Sequence, residues 1–490
     1  MTAMQKDPDA LPQLIGEFRP IDKWQAHINR IFYGLRGGRL REFYQTFAAA
    51  DYRLAHALAV GYFDRVVKRE RAREASGVRR EAKAEGSHGS PLTPYASPLT
   101  VMEWGCGNGN LAACFLSHLK RLDKDGAIYP RVRYVLVDNK QVVLEAAKTH
   151  PDLAEHRDRI ETLCANVEDL ASVKDGTVDR ILCNELWNDL PTKLMLRKEG
   201  EVEEEYVRPN LSETKYEAMT DWPGFIRAFE AKDLDALKSV PPFLEDIIWE
   251  REYRKTEWKE VPYRKTITEF LKQIEEQVLV PVNLGACATI KEAKRVLSSD
   301  AVGFSSFDAG AADLKVLNDP EKPCYGQFGG QFSFMVNFPL VEEVAKHLGL
   351  PSVTIEPQRE FVGRSLGTNV ISLMDLLTTY PSAGSLKPWE QDRLILRTMR
   401  ALNERYHSPY ERTIEFPIQQ DIRAEERASL EGIVRSLKQD GVPDTIAYLT
   451  EDEVFGSIGE LEGIGYDRQA IRRVLMAEPA PVEYRHFLAR

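Results

Sequence analysis

The chain has 490 residues, 43% of them hydrophobic and 29% charged, with a formal net charge of −11. That length exceeds one ordinary core and predicts a main domain with appendages. No apolar run approaches the ~20 residues of a membrane span, and the acidic balance argues against general nucleic-acid binding, which needs a surplus of Lys and Arg on the contact face. The six cysteines (Cys106, Cys114, Cys164, Cys183, Cys287 and Cys324) show no CxxC spacing and read as small core residues. The nine histidines include no HExxH-like pair, so no metal site is predicted. The N-terminus carries neither a basic start before an apolar run nor an Arg-rich, acid-poor stretch, so the expected compartment is the cytoplasm.

In chain order, residues 1–95 read as a helical N-terminal region and linker. His56 to Ala75 keeps apolar residues at helical spacing before its charges become continuous, and Glu85 to Thr100 is rich in Gly, Ser and Pro. Apolar strands then alternate with helical stretches, as in a parallel α/β sheet. Strands are predicted at Leu99 to Glu103, Arg133 to Val137, Ile160 to Cys164 and Asp179 to Cys183, with helices over Leu111 to Leu122 and Gln141 to Lys148. A polar stretch opening at the acidic run Glu199 to Tyr206, with Trp222, Trp249 and Trp258 inside it, reads as an insertion with its own small core. The sheet is expected to resume at Ala301 to Asp308 and Gln331 to Phe338, with a helix over Val341 to Leu348 and a last strand at Ser352 to Ile355. Beyond about residue 365 the pattern is helical to the end, with a capping box at Thr450 to Glu453.

The first strand runs into Glu103-Trp-Gly-Cys-Gly-Asn-Gly109, which places glycines at 105, 107 and 109. Such a loop lets a ligand approach bare backbone while the next helix aims its N-terminal amides at the site. NAD or FAD calls for GxGxxG, but the last glycine position is Asn110, and a P-loop would need a lysine that is absent. Glu103 just before the glycines would repel a pyrophosphate and suits a ligand carrying positive charge, such as the ammonium group of S-adenosylmethionine. Asp138 closes the second strand, where a carboxylate can accept ribose hydroxyls or cap the following helix. Asn166 and Val167 follow the third strand, where they can read an adenine edge or form an ordinary turn. Asn184 and Glu185 close the fourth strand, on the carboxyl edge where open α/β sheets bind ligands.

The ExGxGxG loop resembles motif I of class I S-adenosylmethionine-dependent methyltransferases, and more narrowly the chain is similar to the MidA-like family. Its pattern Asn-Glu-x-x-Asp-x-x-Pro appears as NELWNDLP, with Asn184, Glu185 and Pro191 matching and Asn188 at the aspartate position unless Asp189 serves one residue on. An Asp-Tyr-Gly signature appears as Asp308-Ala-Gly310. QFSFMVNF matches a later run at Ser333, Val336 and Phe338, with Asn337 replacing an acid, and Gln358 to Phe361 matches a closing Gln-x-x-Phe. The segment from Gly37 to Ala59 is loosely similar. The resemblance spans roughly residues 35 to 365.

The resemblance implies an α/β fold: a Rossmann-like sheet with helices on both faces, an inserted region, and helical N- and C-terminal extensions. The expected division is 1–95, a cofactor-binding core over 96–200 and 296–365, an insertion over 201–295 serving as lid or substrate wall, and 366–490. The cofactor set is Glu103, Gly105, Gly107, Gly109, Asp138, Asn166 and Val167. Glu185, Asn184 and Asp308 are the catalytic candidates, Glu185 orienting the acceptor. The resemblance implies methyl transfer to a nitrogen, a protein arginine above all, with a protein or peptide substrate. The rival readings are a small-molecule O- or N-methyltransferase, an assembly factor that binds the cofactor with little catalysis, and an NAD-dependent enzyme. The oligomeric state has no signal in the sequence.

Overall fold

The computed structural model describes residues 13–36, 51–75, 98–410, 422–437, 448–477 and 480–490. The Gly-, Ser- and Pro-rich linker and most of the segment from Gly37 to Ala59 lie outside the described residues.

The cofactor-domain strands are β1 (Leu99–Trp104), β2 (Val132–Asp138), β3 (Ile160–Cys164), β4 (Arg180–Asn184), β5 (Gly303–Ala311), β6 (Val353–Pro357) and β7 (Val482–Ala489). They form a sheet in the order β6-β7-β5-β4-β1-β2-β3, and Val336–Asn337 adds a short parallel eighth strand beside β5. Strands β1 to β5 are mutually parallel, and β7 runs antiparallel between β5 and β6. Successive side chains on a strand point to opposite faces. Val101 therefore joins the core beneath α2 (Tyr52–Ala75) and α3 (Asn110–Leu122), whereas Met102 and Trp104 join the core beneath α5 (Leu284–Val296) and α6 (Phe338–His347). A shorter helix, α4 (Gln141–Lys148), follows β2. Apolar residues on both faces explain why β1, β2 and β4 read as near-continuous hydrophobic runs.

The chain is not helical to its end. β7 comes from its last residues and supplies the reversed strand, while Tyr448–Thr450 pairs with Val370–Ser372. The charges in VEYRHFLA hide the strand in the sequence, because His486 pairs inside the fold with Glu356 and Arg485 stands 3.4 Å from Glu483. Thr450 does cap the helix Glu451–Gly456 reciprocally with Glu453.

The inserted region is built on a second, antiparallel sheet with Lys193–Lys198, Glu201–Leu211, Ile248–Lys255 and Val280–Val282, to which Gln13–Leu14 and Arg19–Pro20 add. Part of its core is shared with other segments. Ile21, Trp24, Ile28 and Phe32 form the apolar stripe of α1 (Ile21–Arg36), and they pack with Phe225, Phe229 and Phe243 of the insertion. Phe332 and Phe334 belong to the same cluster, because Gln331–Phe334 forms a hairpin with Tyr325–Phe328 instead of entering the main sheet. The first segment of the chain and a late hairpin thus meet over the insertion.

Candidate functional site

The loop after β1 is held by backbone: the amides of Gly105 and Cys106 donate to the Val137 carbonyl at 2.9 and 3.2 Å, and that of Gly109 to Cys106 at 2.9 Å. All three glycines sit at positive φ, +72°, +50° and +81°, which side chains strain to adopt. A β-carbon on Gly105 would meet Leu186, and one on Gly109 would meet Ala147 and Leu153, but one on Gly107 would meet nothing within 4 Å. The middle glycine therefore faces open space at the N-terminus of α3, the cradle a backbone-bound ligand requires.

Glu103 has another occupation than the sequence suggested. It is 3% exposed, its Oε2 accepts from the Tyr134 hydroxyl at 2.8 Å, and the Ala112 amide also reaches it. Burial pushes its carboxyl up to about 8, and in this position it braces the first turn of α3. Asp138 lies half-buried at the end of β2. Its Oδ1 accepts the Lys140 amide at 3.0 Å, so it caps the turn into α4, and burial raises its carboxyl. Asn166 is exposed in a tight turn, accepting the Glu168 amide at 3.1 Å, while the Val167 side chain is buried in the core. The Asn166 side chain therefore serves a turn in this structure.

At the end of β4, Asn184 and Glu185 stay at the carboxyl edge. Asn184 Oδ1 is buried with no hydrogen-bond partner among the described residues. Glu185 has φ +50°, a left-handed conformation strained for a side-chain residue, and its amide donates to Phe307 at 2.8 Å. Asp308, on neighbouring β5, is fully buried, with Oδ2 accepting the amides of Trp187 and Asn188 and Oδ1 that of Ala309. Burial pushes it up to about 8. Asp308 is thus a clamp on the loop after β4 and does not present its carboxyl to a substrate. Tyr484 of β7 stands near both acids: burial, then the charges of Glu185 and Asp308, raises its phenol well above the ordinary range.

A second polar cluster had no clear signal in the sequence. The Tyr33 hydroxyl of α1 donates to Asp189 Oδ2, and Gln331 Nε2 donates to Asp189 Oδ1 at 2.5 Å and to the Tyr33 oxygen at 2.8 Å. Lys140 Nζ lies 4.7 Å from the centre of the Tyr33 ring. Of these residues only Asp189 was legible, through the NELWNDLP pattern. No grouping of three or more His, Cys, Asp or Glu suited to a metal occurs among the described residues, and no described helix is long and apolar enough to cross a membrane.

A sheet with β7 reversed between β5 and β6, a glycine loop after β1 and polar groups on the carboxyl edge define the class I methyltransferase fold. Residues 88–305, which take in the loop and β1 to β4, match the family model described as "Putative S-adenosyl-L-methionine-dependent methyltransferase". The match covers less than half of the chain, and over those residues it supports an S-adenosylmethionine-dependent methyltransferase core with S-adenosylmethionine as the cofactor. Among solved structures, the chain is similar to a COG1565 superfamily protein from Burkholderia thailandensis at 13% identity and TM-score 0.43, over 96% of this chain and 87% of that one. It is also similar to a COG1565 superfamily member from the same organism bound to S-adenosyl-homocysteine, at 13% identity and TM-score 0.39, over 92% of each chain. No curated protein matches the chain.

Proposed function

We propose that this is a cytoplasmic methyltransferase of the MidA-like family that methylates a nitrogen, with a protein arginine as the favoured acceptor. The observation that carries the nitrogen reading is Asn184 Oδ1, a buried acceptor at the carboxyl edge with no donor among the described residues. A buried oxygen of this kind costs about 1–3 kcal/mol until a donor reaches it, and an amine or guanidinium N–H is such a donor. The strained Glu185 stands next to it and orients the acceptor; strain of this kind is held at working sites.

The residues present fit the cofactor: the open side of Gly107 and the amides opening α3 would receive its methionine end, and Asp138 its ribose. When bound, S-adenosylmethionine supplies an electrophilic methyl on a cationic sulfur. The part of this chain is to fix the acceptor nitrogen with its lone pair in line, its N–H proton passing to solvent as the N–CH3 bond forms and the S–CH3 bond breaks. Asp308 acts through the loop, holding Trp187 and Asn188 so that Asn184 and Glu185 keep their places. The insertion, sharing a core with α1 and the hairpin, walls the acceptor side.

The assembly-factor reading drew on Asn188 and Asn337 in place of acids, and Asn337 has a structural reason. Its Oδ1 accepts the Leu340 amide at the start of α6 and its Nδ2 donates to Pro281, which an aspartate could not do.

The test is calorimetric titration of S-adenosylhomocysteine into wild type and Gly107→Val, with NADH as control, followed by labelled S-adenosylmethionine with cell lysate and analysis of the methylated amino acid. Binding lost in the variant and label on arginine support the proposal. Label only on small molecules would move it to that alternative, and a stoichiometric partner without methylation would favour the assembly factor.

A further inference from the structure

We propose that Asp189 and the Tyr33 ring form a recognition subsite for a cationic nitrogen side chain, of the alkylammonium or guanidinium class, which Lys140 fills in the free protein. The proposal rests on the methyltransferase reading and specifies how its acceptor is recognised.

Three elements distant in sequence converge to build the subsite: α1 brings Tyr33, the loop after β4 brings Asp189, and the hairpin brings Gln331. Both carboxylate oxygens of Asp189 are oriented by neutral donors, so the charge is fixed without being neutralised by a salt bridge to either. Gln331 is 0% exposed, and its Oε1 has no partner among the described residues, an acceptor left over beside a cation's place.

The occupant's chemistry is displayed by the protein itself. Lys140 Nζ lies 4.7 Å from the Tyr33 ring centre, a cation–π distance, with the charges of Asp138 and Asp189 favouring its charged form and that of Arg30 opposing it. Burial nevertheless lowers the Lys140 ammonium from its ordinary range, so these partners do not fully offset its desolvation. An aromatic face with fixed carboxylates is the surrounding that an alkylammonium or guanidinium seeks and a neutral hydroxyl does not.

The position suits an acceptor. Asp138 ends β2, and Asp189 lies five residues beyond Asn184 at the end of β4, so the subsite borders the edge onto which the glycine loop opens. The Lys140 side chain is flexible and half-buried, able to swing aside when a substrate side chain arrives.

The experiment titrates protein saturated with S-adenosylhomocysteine with N-acetyl-arginine amide, N-acetyl-lysine amide and the uncharged N-acetyl-citrulline amide. Wild type is expected to bind the two cationic probes about tenfold more tightly than the citrulline one. Asp189→Asn and Tyr33→Leu should each erase that preference, and Lys140→Ala should tighten the cationic probes several-fold by removing the resident cation. Citrulline binding as well as arginine, no detectable cationic binding, an unchanged preference in Asp189→Asn, or no gain in Lys140→Ala would each overturn the proposal. If Asp189→Asn does not fold, the Tyr33→Leu and Lys140→Ala outcomes decide it. Failure of S-adenosylhomocysteine to bind wild type would instead strike the methyltransferase reading itself.

Discussion

Asp308 holds the backbone of Trp187: its Oδ2, wholly buried, accepts the Trp187 amide at 2.8 Å and then the Asn188 amide at 3.2 Å. This one carboxyl on β5 fixes the exit of β4, the segment that carries Asn184, Glu185 and Asp189. Asp308→Ala removes the acceptor and leaves buried amides unpaired, at a cost of about 1–3 kcal/mol per group. Chemical denaturation should show that loss. Once an acceptor is known, kcat should fall while S-adenosylhomocysteine affinity changes little. A variant that lost cofactor affinity with kcat intact would contradict the clamp.

Glu103 and Tyr134 make a pH-sensitive brace behind the glycine loop. Burial raises the Glu103 carboxyl from 4.5 to about 8 in the folded protein, so the folded state holds this proton more tightly than the unfolded one. The stability it contributes is present at low pH and is lost as pH rises toward 8. Asp308 and Glu483, raised to about 8 and about 7, act in the same direction, whereas histidines lowered by burial act below pH 6.5. Between pH 6.5 and 8 the wild-type melting temperature should therefore fall, and Glu103→Gln, which keeps an uncharged hydrogen-bonding side chain, should fall less steeply. Equal slopes would show that Glu103 is already ionised in the fold.

The early part of the fold was legible because hydrophobic period and punctuation agree there. The helix at Gln141–Lys148 and the strand at Ile160–Cys164 stand where the sequence placed them. The glycine loop was legible for a similar reason: three alternating glycines have few uses besides close backbone approach. β7 was not, since its buried His486 is matched by partners more than a hundred positions away, Glu356 and Ser305. Local pattern carries no record of such pairing. Glu103 and Asp308 were located correctly on their strands, but whether a strand-end acid faces ligand or core depends on Tyr134 in one case and the Trp187 amide in the other. Tyr33 and Gln331 gave no signal, because their meeting with Asp189 is set by how the insertion packs.

Placing an acid at Asn337 should do harm. Asn337 Nδ2 donates to the Pro281 carbonyl at 3.0 Å and Oδ1 caps α6, both fully buried. Asn337→Asp keeps the cap but leaves Pro281 without its donor and places a charge in the core, costing about 1–3 kcal/mol. Methyl transfer should not improve. Increased turnover at unchanged stability would revive the view that the missing acid marks lost catalysis.

His486 fastens the final strand to the sheet. Its Nε2 pairs with the Ser305 hydroxyl at 2.7 Å and its Nδ1 with Glu356 at 3.0 Å, while the ring stacks on Phe307 at 4.4 Å. The row Arg180, Ser305, His486 and Glu356 therefore crosses β4, β5, β7 and β6 in sequence. Burial lowers the His486 imidazole from 6.5 to about 4, so the unfolded chain binds this proton more readily than the folded one. Its contribution is present above pH 6.5 and is lost as pH falls toward 4. His486→Phe preserves the stacking but deletes both hydrogen bonds, leaving Glu356 and Ser305 without this partner. At pH 7.5 it should cost about 2–4 kcal/mol, with protease cleavage appearing first near β7. At pH 5 the gap between variant and wild type should narrow, because the wild type alone has lost its histidine contribution. A gap that stays constant from pH 7.5 to 5 would mean that packing against Phe307, and not the hydrogen-bonded row, secures the strand.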